Sequence, residues 1–150
     1  MKKLIYTIII ILISFNYSLA ETIFLDCKFL KGKRLKDLEI IKILSPGDLS
    51  RQTVELNLSK KKIISGPHFF DKPNDIVDRV FLKFEKNNII WNYETIGDSY
   101  LKRTVILNRI NGEMLINSVL VIYENKEKTE ISYQLDYQDN YQCEKIKKLL

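Results

Sequence analysis

The chain has 150 residues, 24 basic and 19 acidic side chains, a formal charge of +5, two cysteines and one histidine. That length suits a single domain that buries its own core and needs no dense disulfide network or structural metal to fold. The mild positive charge tolerates anionic surfaces without demanding them, and the chain shows no Gly-rich phosphate loop, Gly-x-Ser-x-Gly elbow or Cys-x-x-Cys pair.

Lys2 and Lys3 open the chain, and Leu4 to Phe15 is an apolar run broken by Thr7 and Ser14. Ser18-Leu19-Ala20 then offers small residues where a signal peptidase needs them. Basic, apolar and cleavage regions in this order read as a secretory signal over residues 1–20, cut after Ala20. A spanning helix needs about 20 apolar residues and this run holds about 12, so no retained transmembrane helix is expected. Asp26 before Cys27 argues against a lipidated cysteine. The expected product is a periplasmic or secreted domain over residues 21–150. Its net charge falls with the loss of Lys2 and Lys3.

Alternation of apolar and polar residues then predicts strands from end to end. Ile23, Leu25, Cys27 and Phe29 share one face, Ile41 and Ile43 suggest a second strand, and Ser45-Pro46-Gly47-Asp48 is a turn. Val54, Leu56 and Leu58 alternate with polar neighbours, and Ile63-Ile64 suggests a short edge piece. Val80, Leu82 and Phe84 lead through Lys86-Asn87-Asn88 to Ile89, Trp91 and Tyr93. Tyr100 to Arg109 is a further strand, with Leu101, Val105 and Leu107 on one face. Asn111-Gly112 predicts a tight type I′ hairpin, because both positions tolerate positive φ. Met114 to Tyr123 returns, and Ile131, Tyr133, Leu135 and Tyr137 form the last alternation. The Lys-rich tail Glu144 to Leu150 reads as a half-turn of helix or a frayed end. Short turns between successive strands specify an antiparallel meander. About eight such strands make an all-β small barrel or sandwich.

Cys27 and Cys143 are expected to form a structural disulfide in an oxidising compartment, worth about 4–5 kcal/mol in the chain-entropy model. Phe84, Trp91 and Tyr93 are candidates to line an interior cavity for a small apolar ligand, against the reading that such rings are simply core. His68 lies in the longest stretch without alternation, and with Asp71, Asp75 and Asp78 it forms a candidate loop site for acid–base work or a divalent ion. Its competitor is a surface loop whose Phe69 and Phe70 plug one end of the barrel. One histidine with scattered aspartates fits no metal-ligand spacing, so no metal and no cofactor is expected. Asn108 and Arg109 offer a polar rim, or an Arg109–Glu113 pair across the hairpin worth at most about 1 kcal/mol. Basic clusters at Lys28, Lys31, Lys33, Arg34 and Lys36, at Lys60–Lys62 and at Lys145–Lys148 suit solvated ends or an anionic surface. Interleaved aromatics are too sparse for a nucleic-acid platform.

Phe84 to Trp91, the Leu-Asn-Arg-x-x-Gly-x-Met stretch from Leu107 to Met114, and the terminal Tyr-x-Cys at Tyr141 to Cys143 together resemble small secreted bacterial β-proteins of uncharacterised function. A fainter resemblance is to the disulfide-tied barrels of periplasmic lysozyme inhibitors, whose inhibitory loop motif is missing here. The expected function is a non-enzymatic envelope module that binds a partner protein or surface. The alternative is a lipocalin-like carrier, and the third reading is a hydrolase or metal site at His68.

Overall fold

The computed structural model describes residues 22–125 and 127–146. The signal-peptide reading of residues 1–20 and the last four residues of the tail lie outside them. The described chain is all-β: β1 (Thr22–Lys36), β2 (Glu39–Leu44), β3 (Gln52–Asn57), β4 (Lys62–Ser65), β5 (Arg79–Phe84), β6 (Asn88–Ile96), β7 (Ser99–Asn108), β8 (Glu113–Tyr123) and β9 (Ile131–Ile146). All strand pairs are antiparallel. The order is β4-β3-β1-β9-β8-β7-β6-β5, with β2 pairing the second half of β1. This single sheet curls into a half-barrel.

The first and last strands lie side by side, as a barrel requires, yet the sheet does not close. It ends in β4 on one side and β5 on the other. These two edges are consecutive in the chain, so the 66–78 loop that joins them crosses the seam. The tail differs from the half-turn of helix expected for it: Glu144 to Ile146 continue β9 and pair with Asp26, Leu25 and Phe24 of β1. Strand pairing wins there because β1 presents an open ladder of backbone groups that would otherwise go unmet.

Residues opposite one another in neighbouring strands share a face, so the register assembles the concave face in rows. The first row runs Phe84, Ile89, Leu107, Met114, Tyr141 and Phe29. The second runs Leu82, Trp91, Val105, Ile116, Asp139, Gly32 and Leu44. Most of these side chains form the buried core, and the Phe29 and Tyr141 rings meet edge-on at 5.3 Å. A bulge after Phe29 lets the long β1 bend with the curl. At Gly32 a Cβ would stand 2.3 Å from Asp139 Oδ1 and 3.2 Å from Phe29 Cζ, so the fold needs glycine there. Cys27 and Cys143 face each other in the β1–β9 register and are disulfide-bonded, with an S–S distance of 2.03 Å.

The β7–β8 hairpin sits where the Asn-Gly pair places it, but its turn is wider than the expected type I′ turn. Asn108 Oδ1 accepts from the backbone N–H of Ile110 and Asn111, and Gly112 N–H donates to the Asn108 carbonyl. Only Gly112 has positive φ, at 74°. Gly112 lies flat on β9, where Cys143 N–H donates to its carbonyl at 2.8 Å. The motif from Leu107 to Met114 and the Tyr-x-Cys motif are thus two sides of one packing contact.

Candidate functional site

Trp91 and Tyr93 both point from β6 into the concave face, as alternation requires. Trp91 is 1% exposed and belongs to the core, and its Nε1–H donates to the Pro67 carbonyl at 2.9 Å. Phe84 packs against the same core from β5. Trp91 thus packs as a core ring, and the 66–78 loop is pinned to it at Pro67.

The loop is tied down along its length. Phe69 packs on the core, the Phe70 ring meets the Tyr93 ring at 4.9 Å, and Val77 is buried. Asn74 and Val77 exchange backbone hydrogen bonds. Asp78 N–H donates to the Glu94 carbonyl, and its carboxylate accepts from Ile96 N–H at 2.5 Å.

The proposed loop constellation does not assemble. Asp71 and Asp75 are exposed, and no group of three or more His, Cys, Asp or Glu side chains able to hold a metal ion occurs among the described residues. His68 instead meets Tyr93, with ring centroids 6.3 Å apart, and Arg103, whose Nη1 lies 3.1 Å from His68 Nδ1. Burial, and next the Arg103 charge, lower the His68 pKa to about 4, with Asp139 acting in the opposite sense.

Arg103 belongs to the third concave row: Val80, Tyr93, Arg103, Ser118, Tyr137 and Arg34. Arg34 grips Asp139 in a two-point pair at 2.5 and 3.2 Å and lies over the Tyr137 ring at 4.8 Å. Sequence reading missed this row, although its signal was present. Arg103 falls between Leu101 and Val105 on the apolar face of β7, and a charge on an inward face is the anomaly to look for.

Several concavities mark the remaining surface of the described residues, among them three with apolar side chains in their walls. A groove of about 380 Å³ on the convex side runs between Lys31, Lys33, Ile40, Ile43, Gln138 and Asn140. A second, of about 410 Å³, is walled by Leu30, Ile106 and Leu115. A well of about 300 Å³ opens at the end of the half-barrel away from the 66–78 loop, among Ile23, Leu25, Leu56, Leu58, Leu107 and Ile110. Arg109, expected to pair with Glu113, donates to the Glu85 carbonyl instead, while Asn111 takes the Glu113 carboxylate at 2.8 Å.

No protein-family model, curated protein or solved structure matches this chain.

Proposed function

We propose that this protein is a non-enzymatic binding module of the bacterial envelope that docks on an anionic membrane surface through its β1–β2 hairpin. The observation that carries this reading is the apolar ledge on that hairpin. Leu38, Ile40, Ile41 and Ile43 are 76%, 58%, 59% and 71% exposed. Together they make a patch of roughly a few hundred Å², the size at which exposed apolar surface signals an interaction. Lys33 stands directly opposite Ile43, and Lys31 shares its face, so cations border the ledge where anionic headgroups would meet it.

The turn at the hairpin tip supports the same reading. Asp37 and Leu38 have φ of 50° and 73°, which makes a two-residue turn suited to Asn-Gly. A leucine in that conformation costs about 1 kcal/mol and is 76% exposed, so it does not repay the cost by packing in the fold. The hairpin is also held rigidly: Asp37 N–H donates to the Gln134 carbonyl, and Gln134 N–H donates to Asp37 Oδ1, both at 2.9 Å. The disulfide is compatible with the oxidising compartment that this role needs.

Co-sedimentation with vesicles tests the reading. The protein is expected to bind phosphatidylcholine vesicles containing phosphatidylglycerol, to lose that binding at high salt, and to bind pure phosphatidylcholine weakly. Leu38→Asn should keep or raise the thermal midpoint while cutting vesicle binding about fivefold, the effect of roughly 1 kcal/mol of lost apolar burial. Equal binding by the wild type and Leu38→Asn, or none by either, overturns it.

The apolar well at the opposite end favours a second reading as a carrier of a small apolar ligand, with the ligand held there and not beside Trp91. Saturable binding of decanoate that Leu56→Asp abolishes would support it, and absence of binding would remove it.

A further inference from the structure

The third concave row holds a charge that the fold leaves unbalanced. Arg34 is neutralised by Asp139 in the neighbouring row. Arg103 forms no ion pair among the described residues, and its Nε is buried without a hydrogen-bond partner. Its one side-chain hydrogen bond among the described residues is with His68, and a guanidinium has only donors, so His68 Nδ1 must accept. That fixes the neutral ring with its proton on Nε2. A half-buried guanidinium facing a neutral imidazole is unfavourable unless an anion completes the site.

Two further features leave bonding capacity in the row for such an anion. The absence of a side chain at Gly32 leaves Asp139 in its pose against Arg34, so that carboxylate is already engaged. Ser118 lies between Arg103 and Tyr137 in register, and no hydrogen bond engages either hydroxyl among the described residues. Lys36, over the Tyr133 ring at 5.3 Å, adds a cation on the same face.

We propose that Arg103, His68 and Ser118 form a binding site for a compact oxyanion group, a phosphate or a carboxylate, on the concave face of the half-barrel. Arg103 supplies the charge and the donors, and its planar fork suits both anions. His68 adds its Nε2–H. Its three residues lie outside the β1–β2 hairpin, so the proposal stands whether or not that hairpin meets a membrane.

His68 is the only histidine, so its ring resonance in an NMR spectrum needs no assignment. The oxidised full chain would be titrated with inorganic phosphate, and in parallel with acetate, against chloride at equal ionic strength. Phosphate or acetate is expected to move the His68 signal saturably at pH 6 and to raise its pKa from about 4, because an adjacent anion favours the protonated ring. Which anion saturates tells phosphate from carboxylate. Arg103→Gln should abolish the saturable shift while Trp91 emission reports an intact fold. A signal that moves no more with either anion than with chloride, or as much in Arg103→Gln as in the wild type, overturns the proposal. The wild-type titration decides by itself if the variant does not fold.

Discussion

His68 shows what a single side chain can carry in this fold. It sits at φ 56°, an uncommon conformation for a residue with a Cβ, and is held there by the Arg103 contact and the tethered residues on either side. Its lowered pKa makes a pH prediction with a definite sign. The unfolded ring takes a proton near pH 6.5 and the folded ring only near 4, so the unfolded state gains protons first as pH falls. Stability from this group is full above pH 6.5, declines between 6.5 and 4, and changes no further below that. Because the ring is partly exposed, the loss should be about 1–2 kcal/mol, less than the full shift implies. Urea unfolding of the wild type and His68→Gln at pH 7, 5.5 and 4 checks this: the wild type should lose ground to the variant as pH falls. Parallel pH profiles would show that the ring titrates alike in both states.

At the scale of elements, the two hairpin turns invert what the residues suggest. Asn111-Gly112 looks like a tight type I′ turn and makes a wider one, because Asn108 caps the loop and Gly112 must lie on the Cys143 backbone. Asp37-Leu38 carries no turn signal and makes the tight turn, because the β1–β2 register leaves two residues to connect Lys36 and Glu39. A glycine comparison separates conformation from contact. Gly112→Ala would place a Cβ 2.5 Å from the Cys143 carbonyl oxygen, whereas Gly47→Ala, at φ 101°, meets nothing within 4 Å. Gly47→Ala should cost about 1 kcal/mol from backbone strain alone, and Gly112→Ala about 2 kcal/mol or more from strain and collision together. Denaturant midpoints would measure both, and equal losses would remove the packing role of Gly112. Long strands were the most legible elements. Trp91 and Tyr93 sit on an inward face, as alternation placed them, but periodicity could not show that a loop from elsewhere in the chain covers Trp91.

For the molecule as a whole, the β1–β9 pairing holds the half-barrel together. It joins the two longest strands and carries the disulfide. Reduction should destabilise the protein by about 4–5 kcal/mol, since Cys27 and Cys143 are separated by 116 residues and their link restricts the unfolded chain. Far-UV circular dichroism should stay β-type at 25 °C while the thermal midpoint drops. An unchanged midpoint after reduction would mean that the bridge adds nothing to a pairing already made by backbone and core.

The sequence by itself determined what is local and repetitive. Period-two alternation marked the strands, turn residues separated most of them, and two cysteines, one in the first strand and one in the last, matched a single bridge. Such signals need only neighbours in the chain. The tertiary structure decided that the sheet stops short of closure, that the 66–78 loop spans the gap, and that His68 meets Arg103 instead of Asp71 or Asp75. It also decided that Asp139 is committed to Arg34, across 105 positions in the chain. These outcomes depend on register between strands far apart in sequence, where a shift of one residue would send every side chain to the other face. No local pattern records which charges then stand side by side.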